Sequence, residues 1–475
     1  MPEEPALARH ARQTRVVVVG GGIAGLVAAR ECAKVGLAVT LVESSDRLGG
    51  TIAHAEVDGI RVDTGADRWA ASSPEMRALI SDVGLDAEAV APAPGARWIS
   101  GLPSGAAPLP ALSVLGIPAN PWGDEARRFI GWAGAWRAYL DRLRPPLTIG
   151  HEQSLGDLAR TRMGARVVDL MVAPLSRGTF GVAPDDVDVG IAAPGLSTAL
   201  TRTGSLAAAV AELAADAPEV PVRSLRGGLH ALVDAIETQL RELGAAVRVG
   251  TRATAITTRD GGGWRVAVTG EDPATDEPES LDADIVIVAA DGPGARRLLA
   301  SAVPLPEWDG GDAIDVVTMI VDAPALDDAP RGHEVHARDG SASAVQADAV
   351  WTWLRARLPG GTHLLRVTLP SRAEAGADRT GDALAAAARL YDLDPAALDV
   401  RDAVTVRRWR AEPASVRGHR ARADEVRAAV AARRGVAVVG AWLAGSGLAR
   451  TVADSIAEAD RVRSDALWRG TDIDA

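Results

Sequence analysis

The stretch RVVVVGGGIAGLVAARECAKVGLAVTLVE, residues 15–43, constrains the fold more than any other part of the chain. Val16 to Val19 is a β-branched run of the kind that forms a parallel strand buried on both faces. Gly20, Gly22 and Gly25 follow in G-x-G-x-x-G spacing, Leu26 to Lys34 reads as a helix broken by Gly36, and Ala38 to Val42 is a second strand that ends at Glu43. In such a βαβ unit the first glycine makes the tight turn, the second lets a pyrophosphate approach the backbone, and the third lets helix pack closely on strand. The helix N-terminus faces the phosphates, and the terminal acid accepts from ribose hydroxyls. A glycine turn alone would be weak support for dinucleotide binding. Here strand, helix, second strand and acid all stand at the required spacing, and dinucleotide binding is the expectation.

The 475 residues allow two or three domains with sizeable cores. The formal charge of −12 argues against a general nucleic-acid binder, and any anionic substrate would need a local nest of arginines. Cys32 is the only cysteine, which excludes intrachain disulfides and cysteine-based metal sites, and no metal is expected. The first fifteen residues lack the apolar core of a signal peptide, so a cytoplasmic protein is expected.

Later segments supply further pieces of the same grammar. Residues 223–256 give a Gly-Gly turn, a helix with Leu229, Leu232, Val233, Ile236 and Leu240 on one face, and a strand. ADIVIVAA (283–290) is another buried strand. Residues 434–462 run strand, glycine-rich turn, helix, and Gly440, Gly445 and Gly447 would bring backbone N–H groups to a bound ring. Residues 76–222 read mainly helical, whereas residues 300–400 mix strands (316–321, 363–369) with a helix at 381–391. The expected division is a dinucleotide-binding domain from 1–75, 223–300 and 405–475, a helical subdomain at 76–222 and a substrate-binding domain at 301–404. Residues 99–123 carry no charge, and five prolines exclude a regular membrane-spanning helix. They read as a buried or interfacial loop lining a substrate cavity, compatible with peripheral contact at a membrane surface.

ESSDRLGGT after the clamp and DGIRVDTGAD beyond it resemble the FAD-binding oxidases of the amine-oxidase type. RWISGLPSGAAPLPALSVLGIP (97–118), VAPLSRGTFGVAPDDVDV (172–189), GSLAAAV (204–210), RGGLHALVDAI (226–236), VRRWRAEPASVRGH (406–419) and the turn at 440–448 resemble one branch of them. That branch is the protoporphyrinogen oxidase family, in particular its actinobacterial members that act on coproporphyrinogen III. The matches cover most of the chain in the family's order. The resemblance implies an α/β fold: a Rossmann-like FAD-binding domain of the amine-oxidase and glutathione-reductase type, a mixed-sheet substrate domain and a helical subdomain. It implies FAD as cofactor and three successive two-electron transfers from a porphyrinogen, each followed by reoxidation with O2 to give H2O2. Coproporphyrin III would then pass to a ferrochelatase in haem biosynthesis.

Carried onto this sequence, the FAD contacts are Gly20, Gly22, Ile23, Ala24, Gly25, Glu43, Ser44, Arg47, Gly49, Gly50, Thr51, Gly65, Ala66, Asp67, Ala253, Ala290, Trp409, Gly440, Gly447 and Leu448. Arg68, Arg177, Phe180 and Arg450 are the substrate candidates, with Arg61 and Arg97 beside the matching motifs as further arginines. No general base stands out, and His54, His230 and His419 are only nominal candidates. The chain departs from the family at Phe180, where tyrosine is usual, at Ala449, where proline is usual, and in Ser446 and Arg450. Protoporphyrinogen is the alternative substrate. A flavin amine oxidase would need a lysine at the flavin, and the sole lysine, Lys34, sits on the first clamp helix. A carotenoid-type desaturase and a non-catalytic flavin or porphyrin carrier complete the alternatives.

Overall fold

The computed structural model describes residues 6–144, 154–216, 220–270, 279–308, 312–372, 377–410 and 414–468. The strands that position the site are β1 (Arg15–Val19), β2 (Ala38–Val42), β3 (Arg97–Leu102), β4 (Gly105–Pro108), β5 (Ala246–Arg248), β6 (Ile285–Val288), β7 (Asp312–Asp322), β8 (Glu334–Ala337), β9 (Ser343–Gln346), β10 (Thr362–Pro370), β11 (Asp399–Arg410) and β12 (Val436–Val438). The helices are α1 (Ile23–Ala33), α2 (Asp124–Tyr139), α3 (Leu155–Met163), α4 (Ala173–Phe180), α5 (Leu206–Ala215), α6 (His230–Glu242), α7 (Thr380–Tyr391) and α8 (Leu448–Trp468).

Five parallel strands form one sheet in the order β5-β2-β1-β6-β12. The β-branched run reads as it does because both faces are covered. Val16 and Val18 pack on the side of α1, α6 and α8, while Val17 and Val19 face the hairpins at 252–283, the helix at 292–299 and that at 419–431. Helix α1 lies sandwiched there, with Leu26, Val27, Ala28, Ala29 and Cys32 out of solvent. Burial pushes the Cys32 thiol up to about 12, so it is an inert packing group.

A second, seven-stranded mixed sheet runs β11-β7-β10-β9-β8-β3-β4, antiparallel except for the β8–β3 pair. Helix α7 covers one face, burying Val317, Met319, Leu365 and Val367. The other face buries Ile320, Leu364 and Val345 against the hairpin of residues 54–63. Helices α2 to α5 share a third core around Ile130, Leu158, Met171 and Leu200.

Three expectations change. Residues 99–123 are not a loop: β3 and β4 make a hairpin, and residues 113–118 make a second, smaller one. Gly101 (φ 81°) and Gly105 (φ 101°) supply the bulge and turn between the strands, and β3 finds a parallel partner in β8, more than two hundred residues away. The stretch 76–222 therefore mixes helix and strand before residue 124, with a helix at 74–82 and the strands at 97–108 serving the large sheet. Likewise β11 runs unbroken through the expected boundary at 404/405.

Candidate active site

Because its strands are parallel, the five-stranded sheet brings Gly20, Glu43, Ala290 and Gly440 to one edge, where ligands of open α/β sheets bind. Gly20 turns at φ 111°, and a Cβ there would stand 2.7 Å from the Ala289 carbonyl. Gly25 packs so tightly on Gly20 that no side chain fits between helix and strand. Gly22 is different. It is the uncapped N-cap of α1 with ordinary extended angles (φ −70°, ψ 173°), and only Gly50 Cα lies near its missing Cβ, at 3.8 Å. The N–H groups of Ile23, Ala24 and Gly25 are the orphan donors of α1 beside that opening.

The second loop closes on the first. Gly49 N–H donates to Gly21 O at 2.8 Å, and Ala66 N–H to Thr51 O at 3.0 Å, joining residues 49–51 to 64–66. Glu43 accepts from Gly21 N–H (2.6 Å), Ser45 N–H (2.8 Å) and Ser44 Oγ (3.4 Å), which orients its carboxylate along the cradle's rim. From the far end of the chain, Leu448 and Ala449 join the same hydrophobic core as Ile52 and Ala66. Gly447 (φ 125°) has open space where its side chain would be. A cradle with bare glycines, a helix N-terminus and a strand-end acid fits an adenine dinucleotide. Ala253 stays on the strand Arg252–Thr258, packed against the sheet's far face, and Arg47 is exposed with its guanidinium on Leu48 O (3.4 Å). The side chain of Trp409 lies outside the described residues.

Above the second loop stand two arginines that sequence reading missed. Arg366, on β10, donates to Gly65 O (3.1 Å) and Asp67 Oδ2 (2.9 Å). Arg408, on β11, donates to Thr64 O (3.0 Å) and Thr64 Oγ1 (3.1 Å). A signal was available for Arg366: it is a lone charge inside the apolar run HLLRVTL. Asp67 also holds Arg68 in a two-pronged pair at 2.8 and 3.0 Å, with the Arg68 guanidinium over the Trp351 ring. Burial alone would raise the Asp67 carboxyl, but Arg366 and Arg68 outweigh it and hold it well below the usual carboxylate range. Asp67 in turn raises Arg68. Arg68 is thus a neutralised partner rather than a free cation.

A cavity of about 460 Å³ opens between the C-terminal end of α4 and the large sheet, lined by Arg177, Gly181, Ile314, Ser343, Thr368 and Ser371 among others. Arg68, Phe180 and Arg450 do not line it; Phe180 is half-buried and Arg450 exposed on the first turn of α8. The three nominal base candidates, His54, His230 and His419, do not line that cavity. His54 and His230 pack ring on ring at 4.8 Å beside Asp63, and burial, with His230 next to it, lowers His54. His419 Nε2 meets Leu443 O at 3.1 Å.

A parallel sheet with this cradle, joined to a mixed sheet over a cavity, defines a dinucleotide-dependent oxidoreductase. The chain belongs to the flavin containing amine oxidoreductase family, whose model matches residues 23–463. It is a flavoprotein oxidase with FAD as cofactor. It is 28% identical to the coproporphyrinogen III oxidase of Propionibacterium freudenreichii, over 96% of this chain and 92% of that one. The Mycobacterium tuberculosis coproporphyrinogen III oxidase is 30% identical over 60% of this chain, the match spanning 61% of the relative. A crystal structure from Exiguobacterium sp. 255-15, described as a candidate protoporphyrinogen oxidase, superposes with a TM-score of 0.80 at 25% identity, covering 96% of this chain and 99% of that one.

Proposed function

We propose that the chain oxidises coproporphyrinogen III to coproporphyrin III in haem biosynthesis, with three O2 consumed and three H2O2 released per ring. Bound FAD supplies the two-electron acceptor for each of the three steps. The observation that carries the substrate reading is the cavity between α4 and the large sheet, with Arg177 and the hydroxyl-bearing Ser343, Thr368 and Ser371 in its lining. Those donors suit carboxylates on an otherwise apolar macrocycle. Backbone amides at residues 22–25 and 447–448 hold the cofactor, while Arg366 and Asp67 fix the loop beside it. The substrate disc is oriented by the sheet and α4, and no side chain is assigned as a base. The FAD contacts carried over from the family, Trp409 and Ala253 included, belong to this reading. So does the division into an FAD-binding unit (1–75, 223–300, 405–475), a helical subdomain (76–222) and a substrate unit (301–404), with β3, β4 and the 405–410 end of β11 lent to the last.

Among the described residues no helix is long and apolar enough to cross a membrane. Peripheral contact has support of its own: Trp132 (68% exposed), Trp136 (57%) and Leu143 (79%) stand out from α2 and the turn after it. Arg127 stacks on Trp132 at 4.0 Å. Aromatic rings with arginines suit a headgroup layer. A ferrochelatase as acceptor of the product remains part of the proposal. The deciding assay is oxygen-dependent growth of porphyrin fluorescence. Faster turnover of coproporphyrinogen than of protoporphyrinogen is expected; the reverse preference reassigns the substrate, and no growth with either removes the reading.

A further inference from the structure

Arg408 carries a charge that nothing described in the protein balances. Its fork donates to neutral acceptors, the carbonyls of Thr64 (3.0 Å) and Thr51 (3.5 Å) and the Thr64 hydroxyl. Its Cζ lies 2.8 Å from where a Cβ on Gly65 would be, so it is pressed flat on the loop that borders the cofactor cradle. No carboxylate pairs with it among the described residues, and the charged groups that act on it are Arg47 and Arg366. The neighbouring arginines differ. Arg366 is answered by Asp67 at 2.9 Å, and Arg407, pointing to the opposite face of β11, by Asp315 at 3.2 Å. Burial, with Arg47 and Arg366 close by, draws Arg408 down to about 10. A half-buried cation among cations costs free energy unless an anion completes the site. The carbonyl ties alone could be made by a neutral amide.

The position says which anion. Thr51 closes the Gly49-Gly50 turn that lies against Gly22, and Thr64 and Gly65 lead into Ala66, which borders the same hydrophobic core as Leu448. Arg408 therefore borders the cradle between its phosphate end and its ring end. We propose that Arg408 is the counter-cation of the bound FAD, a cofactor contact beyond those the sequence motifs supply. This rests on the FAD reading of the cradle. FAD offers negative charge in two places, the pyrophosphate and the ring once electrons are added, and the same guanidinium would stabilise either.

The test uses the holoprotein and its Arg408→Gln and Arg408→Lys variants, with two readouts: FAD dissociation at low and high salt, and the two-electron midpoint potential of the bound cofactor. If the charge serves the pyrophosphate, Arg408→Gln weakens FAD retention about tenfold, more at low salt than at high, with the potential unchanged. If it serves the ring, oxidised FAD stays bound and the potential falls, by about 30 mV for a tenfold change. In both cases Arg408→Lys restores most of the effect. The proposal is overturned if Arg408→Gln matches the parent in both readouts, or if Lys behaves like Gln, which would mark the fork's shape rather than its charge. Should Arg408→Gln not accumulate, Arg408→Met takes its place as the neutral variant: loss of FAD retention or a lowered potential that Arg408→Lys restores supports the charge, and parental values in Arg408→Met overturn it. A parent protein that holds no FAD at all would sink the FAD reading itself, a distinct outcome.

Discussion

Replacing Gly22 by aspartate should separate what the fold wants from what the cofactor wants. The residue sits at the N-cap of α1 with angles any L-residue adopts, and its Cβ would meet only Gly50 Cα at 3.8 Å. Aspartate is a better N-cap than glycine by a few tenths of a kcal/mol and adds a favourable charge at the helix N-terminus. The apoprotein should therefore melt at or slightly above the parent temperature. The cofactor meets the opposite situation. A carboxylate about 4 Å from a phosphate charge, at the effective dielectric of a protein surface, repels by about 4 kcal/mol. That is a loss of roughly a thousandfold in FAD affinity. Gly25→Ala is the contrast: its Cβ is driven into the Gly20 carbonyl and towards Ala289, so the fold itself should suffer. Flavin absorbance after gel filtration gives occupancy, and differential scanning fluorimetry with and without added FAD gives stability. A yellow, fully loaded Gly22→Asp protein, or a Gly25→Ala protein with parental stability, would refute this account of the clamp.

Three further outcomes are expected. Asp67→Asn should leave Arg366 and Arg68 without their shared carboxylate and cost about 3–5 kcal/mol in chemical denaturation. Since the folded carboxyl is held below its unfolded value of about 3.9, the parent's stability from this group is fully present above that pH and lost as pH falls through the lower folded value. The Asn variant should lack that acid-limb loss, and a parallel pH curve would count against the ion-pair account. Arg177→Gln should raise KM for coproporphyrinogen by about tenfold with kcat and flavin absorbance nearly unchanged; a fall in kcat alone would remove Arg177 from substrate binding. Trp132→Ser with Trp136→Ser should abolish sedimentation with anionic vesicles while leaving turnover intact, and equal sedimentation would end the membrane proposal.

Legibility differed from element to element. The valine run, the glycine spacing and Glu43 announced their partners because a βαβ unit is local: every contact that defines it lies within thirty residues. The face of α6 was equally plain, Leu229, Leu232, Val233, Ile236 and Leu240 all being buried. Residues 99–108, within the stretch 99–123 read as a loop, were misread because proline and glycine look like loop, and the strand identity of β3 depends on β8. Arg68 and Arg177 looked alike as candidate substrate arginines. One is neutralised by an adjacent aspartate and the other faces a cavity, a distinction made by Arg366 and by Gly340, far along the chain.

By itself the sequence determined the dinucleotide clamp and the buried parallel strands, since local sterics and hydrophobic period dictate both. The tertiary structure alone decided which arginines are spent on carboxylates and which meet only neutral acceptors. Alternation along β11 turns Arg407 to Asp315 and Arg408 to the cofactor loop. A charge's partner is a matter of distance in space, and the carbonyls of Thr51 and Thr64 reach Arg408 only after the large sheet has closed over residues 49–66.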